Sequence, residues 1–221
     1  MKRIAFVLIG LCLIFESLQA QESLEMLLIR EQSRTQDRNT KLIALNNLRR
    51  TIMRGNTKDS VYDVLEFLGF EGLLTRSYSF GKIINDFPDV RAQVAIILRA
   101  LGTERAQEML IKLVSTEHDT TVLIEAIAGL GDTLTMNGNI AVPTMARAVR
   151  DIHLKNPNNG LALTVVQAFE KIAGRNEGAL HQDGIDMVNT IASGPYFTQV
   201  RKEAEQFSQD LWRRQVQSRK W

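Results

Sequence analysis

The sequence has a single cysteine, Cys12, which lies in an apolar segment at the N-terminus. If that segment is removed, the rest of the chain has no thiol, and this excludes disulfides, thiolate metal ligands and a cysteine nucleophile. A chain of about 200 residues can bury enough apolar surface to fold without such crosslinks. The lack of cysteine therefore indicates a fold that is held together by packing alone.

Groups that could carry out chemistry are also scarce. The three histidines, His118, His153 and His181, are spread along the chain, and none has a second histidine at helical spacing. A zinc site needs three or four closely spaced ligands. The sequence has no Gly-x-Ser-x-Gly, no Gly-x-x-x-x-Gly-Lys-[Ser/Thr] and no His-Glu-x-x-His motif, so the common hydrolase, nucleotide-binding and metalloprotease signatures are missing. We predict that the protein is not an enzyme and has no cofactor or metal.

The charges of the chain are nearly balanced, with 27 basic and 25 acidic residues. Removing residues 1–20 takes away Lys2, Arg3 and Glu16, which leaves 25 basic and 24 acidic residues and a formal charge of +1. Such a balance gives no general attraction to polyanions. We therefore expect no nucleic acid among the partners.

Residues 1–20 have the pattern of a secretory signal peptide. A short basic start is followed by a mostly apolar run over residues 4–15, and Ala20 is a small residue suited to the position before the cut. We predict cleavage between Ala20 and Gln21. The run is shorter than the roughly 20 residues that span a bilayer, and its retention as an anchor is the alternative. Leu11 is not the small residue needed before a lipid-modified cysteine, so we do not expect a lipid anchor at Cys12. Because the exported chain would have no disulfides, we expect a bacterial protein of the periplasm.

The best defined helix is predicted over residues 88–102. Pro88 and Asp89 are typical of a first turn, because proline needs no amide partner there and a carboxylate is favoured near free N–H groups. Gly102 is suited to the left-handed position that ends a helix. The apolar residues recur at the spacing of one helical face: Val90, Val94, Ile97, Leu98 and Leu101. A single helix cannot cover its own apolar face, so other helices must pack against it.

Similar patterns predict helices along most of the chain, and no stretch alternates like a strand. Residues 21–36 are expected to form a capping helix with Leu24, Leu27 and Leu28 on one side, and residues 72–86 a less regular helix. Gly102, Gly131 and Gly174 are each expected to end a helix. The class is therefore all-α, and helix pairs that recur every 30 to 45 residues or so are typical of an α-solenoid.

Residues 88–102 resemble the second helix of a HEAT repeat, which tends to read Asp-x-Val-Arg followed by apolar residues and Leu-Gly. A weaker match lies at the C-terminus. The residues that carry the resemblance are Asp89, Val90, Arg91, Leu98, Gly102, Val200 and Arg201. It covers residues 37–212 and implies a right-handed α-α superhelix, the HEAT-like α-solenoid. Tetratricopeptide repeats fit less well, because their 34-residue period and aromatic positions are missing.

Two sets of basic residues allow both a structural and a functional interpretation. Arg91 and Arg201 are expected to pair with a carboxylate of a neighbouring repeat, since a planar guanidinium suits such a pair; the alternative places them on the ligand-binding side. The tail at residues 213–221 follows Trp212 and has no acid. Its basic residues, Arg213, Arg214, Arg219 and Lys220, either contact an envelope surface or a partner, or complement the helix dipole. The loops at residues 78–81 and 156–160 are further candidate contacts, with a purely structural role as the alternative.

The resemblance implies a function in binding other proteins, because HEAT-like arrays display an extended surface. We expect a non-catalytic protein-protein interaction scaffold or assembly factor of the periplasm. One alternative is an enzyme of the HEAT-like DNA glycosylase or lyase kind, which would need a basic groove around an extruded base. Another is a peripheral envelope protein that attaches to a membrane through its basic C-terminal tail.

Overall fold

The computed structural model describes residues 24–135 and 138–218, with side chains described as far as residue 214. It confirms the all-α class, with one small hairpin. The elements are α1 (24–34), α2 (Arg38–Met53), α3 (Asp59–Phe70), β1 (Tyr78–Ser79), β2 (Lys82–Ile83), α4 (Pro88–Leu101), α5 (Glu104–Thr116), α6 (Thr120–Thr133), α7 (Gly138–Lys155), α8 (Asn159–Arg175), α9 (Gln182–Ser193) and α10 (Thr198–Ser218). The chain divides into two compact units, residues 1–68 and 69–221.

The described part of the first unit has a small helical core. Its buried apolar residues come from α1, α2 and the first turns of α3, and include Ile29, Leu48 and Leu65. Lys41 is completely buried among them, and its ammonium donates a hydrogen bond of 2.8 Å to the carbonyl oxygen of Ser33. A buried cation is tolerated only with such partners.

The leucines of α1 do not form its buried side. Leu24, Leu27 and Leu28 are 57%, 52% and 57% exposed, whereas Met26 and Ile29 are buried. The helix itself is as predicted, but the side that carries these leucines is the exposed one, because two apolar stripes run along the helix and the spacing alone does not tell which one the neighbouring helices cover.

The second unit contains two layers of helices. In one layer α4 packs against α6 and α6 against α8; in the other, α5 packs against α7 and α7 against α9. The last helix, α10, packs against α9 and α8. Alternate helices of the sequence therefore lie side by side, and the core between the two layers consists of residues such as Leu98, Leu110, Ile127 and Phe169, each at most 1% exposed.

The ends of α4 agree with the sequence prediction. Pro88 is in the first turn, and Gly102 caps the helix in the left-handed conformation, with φ of 60° and its N–H bonded to the Leu98 carbonyl. The next residue, Thr103, caps α5 by accepting a hydrogen bond from the Ala106 N–H. Because only these two residues separate α4 from α5, the two helices run antiparallel.

The other two glycines expected to end helices lie inside them. Gly131 is within α6, and a Cβ atom placed on it would be 2.8 Å from both Cα and Cβ of Ala168 in α8. Gly174 is within α8, where such an atom would have no neighbour within 4 Å. Those two predictions were wrong, and at Gly131 the missing side chain allows α6 and α8 to approach closely.

Residues 72–86 do not form the expected helix. After a turn at Gly72, with φ of 80°, the chain forms the antiparallel hairpin β1–β2, in which Tyr78 faces Ile83 and Ser79 faces Lys82. The prediction rested on apolar residues without a clear helical period, and two glycines with positive φ, Gly72 and Gly81, interrupt the segment. Positive φ is incompatible with a continuous right-handed helix.

Candidate interaction surfaces

The repeat-motif residues of α4 divide between core and ion pair. Val90 and Leu98 are 1% exposed, whereas Asp89 lies in the first turn and is partly exposed. Arg91 is 2% exposed although it is charged. These positions therefore stabilise the helix and its packing, and Arg91 requires a separate explanation.

The ion pair expected of Arg91 is formed with Glu117, which precedes α6. The Nε of Arg91 donates to Oε2 of Glu117 at 2.6 Å, and its Nη2 donates to Oε1 at 3.3 Å. Oε1 also accepts the backbone N–H groups of His118 at 2.8 Å and Asp119 at 2.9 Å. The carboxylate is 1% exposed and the guanidinium side chain 3%, so this pair is fully desolvated and its hydrogen bonds are satisfied.

Arg91 has a second set of partners on the loop before α4. Its Nη1 donates to Oδ1 of Asp86 at 2.7 Å and to the carbonyl oxygen of Glu71 at 3.3 Å. Burial alone would lower the pKa of Arg91, but the hydrogen bonds to Glu117 and Asp86 outweigh it and the pKa is raised. The guanidinium therefore stays charged and ties the base of the hairpin segment to α4 and to the start of α6.

The second motif match behaves differently. Val200 is buried in α10, but the Nε of Arg201 is buried without a hydrogen-bond partner in the described part of the chain. The carboxylate pair that was expected for Arg201 is not seen among the described residues. The equivalent residue of α4, Arg91, finds its acid, Glu117, in the loop after α5. The local motif does not encode this partner.

A ladder of charged side chains crosses the α4–α6–α8 layer. Asp132 of α6 pairs with the guanidinium of Arg99 in α4 and accepts a hydrogen bond of 2.7 Å from Nζ of Lys171 in α8. Partial burial would raise the pKa of Asp132, but the hydrogen bond from Lys171 and the charge of Arg99 outweigh it, and the pKa is lowered. The ladder thus stabilises the ionised carboxylate and joins three helices of one layer.

Next to the ladder, α4, α6 and α8 each present one stripe of exposed and partly exposed side chains. We call these stripes together the layer face. Its members are Gln93, Ile96 and Ala100 of α4, Thr121, Ile124, Glu125 and Ala128 of α6, and Leu163, Thr164 and Gln167 of α8. The opposite stripes of the same helices are buried. Because the three helices lie side by side, the stripes adjoin, and each contributes one partly exposed large apolar side chain among small and polar ones.

The hairpin presents a different kind of surface. Phe80 at its tip is 104% exposed and Tyr78 is 60% exposed, and nearby Leu74 is 58% exposed. Such a concentration of exposed apolar side chains typically marks a contact site. The sequence singled out residues 78–81 as a candidate contact loop, and the structure places them in β1 and the turn of the hairpin.

The C-terminal basic residues are part of α10 where they are described. Arg213 is exposed and lies 3.4 Å from the carboxylate of Asp210, and Arg214 is exposed with its side chain against Gly178. Trp212 is 67% exposed. Arg219 and Lys220 lie outside the described residues, as do the predicted cleavage site at Ala20 and Gln21.

A cavity of about 680 Å³ is lined by residues of α7, α8, the segment just after α6 and the loop before α9. Its lining combines apolar and polar side chains, including Ile140, Ile172, Asn176 and His181.

The side chain of His181 accepts the N–H of Asp183 and so caps α9. His153 bonds instead to the hydroxyl of Tyr196, with 2.7 Å between Nδ1 and Oη. Within the described ranges, no three histidine, cysteine or carboxylate side chains are grouped as a metal site would require.

The described helices do not include one that is both long and apolar enough to cross a membrane. A comparison of the chain with models of protein families, with curated proteins and with solved structures finds no match in any of the three.

Proposed function

We propose that the chain is a non-catalytic interaction scaffold of the HEAT-like α-solenoid kind, exported to the periplasm, which binds a protein partner through the layer face. The observation that carries the proposal is the arrangement of α4, α6 and α8 as one layer, with adjoining exposed stripes. A stack of this kind offers a partner a continuous surface built from successive helices.

Two features of the layer face support the proposal. First, α4, α6 and α8 pack more extensively against one another than α5, α7 and α9 do, so the layer face is supported by the more tightly packed of the two layers. Second, Ile96, Ile124 and Leu163 give the face partly exposed apolar side chains within a largely polar surface. Protein interfaces commonly combine an apolar centre with a polar surround in this way. The right-handed superhelix belongs to the same proposal.

Affinity capture from the cell envelope tests the binding role. The bait is the full chain, compared with a double variant, Ala128→Arg with Gln167→Arg, which adds bulk and charge to the layer face only. The matched control is Ser115→Arg with Ala148→Arg, at an exposed position of α5 and a partly exposed position of α7 in the other layer. Both double variants add the same charge. We expect one partner to be retained by the wild type and the control and lost by the layer-face variant, and the purified partner to show the same pattern in calorimetric titration.

Equal capture by all three proteins would contradict binding through the layer face. The proposed address is tested separately, by fractionating cells that produce the full chain and by measuring the mass of its N-terminus. We expect recovery in the periplasm as a chain that begins at Gln21. Recovery of the intact chain in the cytosol would contradict export.

A further inference from the structure

The hairpin carries an aromatic residue where its turn disfavours one. Phe80 and Gly81 form the two-residue connection between β1 and β2, and both have positive φ, 47° and 76°. This is the condition of a type I′ turn, in which asparagine, aspartate and glycine are preferred. Phenylalanine lacks the short polar side chain that makes a left-handed conformation acceptable for asparagine. Its presence at this position therefore works against the folded state.

Burial does not compensate for this cost, because the side chain of Phe80 is fully exposed. Across the ladder, Tyr78 pairs with Ile83, so both lie on one face of the hairpin, one residue pair behind the Ser79–Lys82 pair that adjoins the tip. Ile83 and Ile84 are 38% and 37% exposed. A strained, fully exposed residue beside further exposed apolar side chains indicates a contact outside the chain.

The hairpin is held in place rather than loose. Asn85 is 5% exposed and bridges both arms, because its Oδ1 accepts the Ser77 N–H at 2.8 Å and its Nδ2 donates to the Thr75 carbonyl oxygen at 2.9 Å. The base is tied to α4 by Arg91, which binds Asp86 and the Glu71 carbonyl oxygen. Phe80 is thus presented on a preorganised support, and little ordering is needed when it meets a partner.

The charges of this segment favour an anionic partner. Residues 72–85 contain Arg76 and Lys82 and no acidic residue, and the two acids that flank the segment, Glu71 and Asp86, lie at the base of the hairpin beside Arg91. The neighbouring Asp86 is paired with Arg91. An exposed Phe and Tyr with two nearby cations suit a bilayer surface, which takes up an apolar side chain without a preshaped pocket and attracts cations to its anionic headgroups.

The geometry points to a membrane-docking function for the hairpin: Phe80 enters the interface of an anionic bilayer, Tyr78 lies at its boundary, and Lys82 contacts the lipid headgroups. This goes beyond the proposed scaffold function and uses a different surface. It places a membrane contact at the hairpin, separate from the contact of the C-terminal tail that the sequence left open as an alternative.

The test is cosedimentation of the full chain with vesicles of phosphatidylglycerol and phosphatidylethanolamine, and with vesicles of phosphatidylcholine alone. The main variant is Phe80→Asn, which removes the ring and suits the turn. The matched control is Phe197→Asn, at another aromatic side chain that is 71% exposed. Residues 1–20 are common to all variants, so the difference between them reports on the hairpin.

We expect Phe80→Asn to weaken binding to the anionic vesicles roughly ten-fold, because the variant loses an aromatic ring that the bilayer would largely bury. Phe197→Asn should leave binding unchanged. Lys82→Glu should weaken binding to the anionic vesicles and not to phosphatidylcholine. Thermal unfolding should show Phe80→Asn at least as stable as the wild type, so that weaker binding is not caused by unfolding. Equal binding of vesicles by the two Asn variants would overturn the proposal. It would also be overturned if Phe80→Asn bound vesicles like the wild type but no longer captured a protein partner.

Discussion

Gly131 of α6 lies directly against Ala168 of α8, so that a Cβ atom on the glycine would be 2.8 Å from Cα and Cβ of the alanine. No side-chain rotation can relieve this approach, because one of the two atoms belongs to the backbone. The α4–α6–α8 layer therefore depends on the absence of a side chain at this point. The same residue type at position 174 has open space around it, and the two glycines form a natural comparison.

Gly131→Ala is expected to destabilise the protein by about 1–2 kcal/mol, since the cost of overpacking exceeds the gain in helix propensity. Gly174→Ala in the neighbouring helix should instead stabilise it by up to about 1 kcal/mol, because only the propensity changes. Urea denaturation followed by circular dichroism gives both values. Stabilisation by both substitutions would contradict the close approach of α6 and α8.

The Arg91–Glu117 pair should contribute strongly to stability, because both side chains are desolvated. Arg91→Met leaves a buried carboxylate and is expected to cost about 3–5 kcal/mol. Glu117→Gln keeps an acceptor for the backbone N–H groups of His118 and Asp119, and should cost about 1–3 kcal/mol. The double variant should lose less than the sum of the two, as expected for residues in contact.

The control for this cycle is Arg213→Met, which breaks the exposed pair with Asp210. The side chains of that pair are 66% and 56% exposed, so the change in unfolding free energy should stay below about 1 kcal/mol. Strict additivity in the cycle would show that Arg91 acts through packing alone. An equal effect of Arg213→Met and Arg91→Met would show that the buried pair contributes no more to stability than an exposed one.

The sequence predicted what local chemistry determines. Pro88 and Gly102 mark the ends of α4 because first-turn proline and left-handed glycine are properties of single residues. The role of Gly131 could not be predicted in this way, since a glycine that ends a helix and one that lets two helices approach look alike in a single sequence. Glu117 was missed as the partner of Arg91 because it lies 26 residues away, and only the packing of α4 against the start of α6 brings the two together.

The hairpin shows a related limit. Residues 72–86 contain enough apolar side chains to suggest a helix, and the strands that form instead have only two residues each. The positive φ values at Gly72, Phe80 and Gly81 decide the outcome. Glycines at 72 and 81 were available as a signal for turns, whereas nothing in the sequence indicated that Phe80 would adopt a left-handed conformation.

The buried face of α4 gives a prediction about cooperativity. Val94 is fully buried, and a Cβ atom on Gly69 would lie 3.2 Å from its Cγ1. Val94→Asp introduces a charge with no partner and should cost about 4 kcal/mol or more, or abolish the cooperative transition. Gln93→Asp, at the adjacent exposed position, should change stability by less than about 0.5 kcal/mol. A Val94→Asp variant that melts like the wild type would contradict the assignment of the core.

The Arg99–Asp132–Lys171 ladder predicts a dependence of stability on pH. Because the pKa of Asp132 is lower in the folded state than its usual value, its contribution to stability is fully present above about pH 4 and is lost as the pH falls further. Asp132→Asn removes this contribution at every pH. The difference in unfolding free energy between wild type and Asp132→Asn should therefore be largest near neutral pH and shrink below about pH 4, as urea titrations at several pH values would measure. Because the carboxylate is partly exposed, salt should reduce the difference at neutral pH. A difference that stays constant down to about pH 2 would mean that the carboxylate gains nothing from its two cationic neighbours.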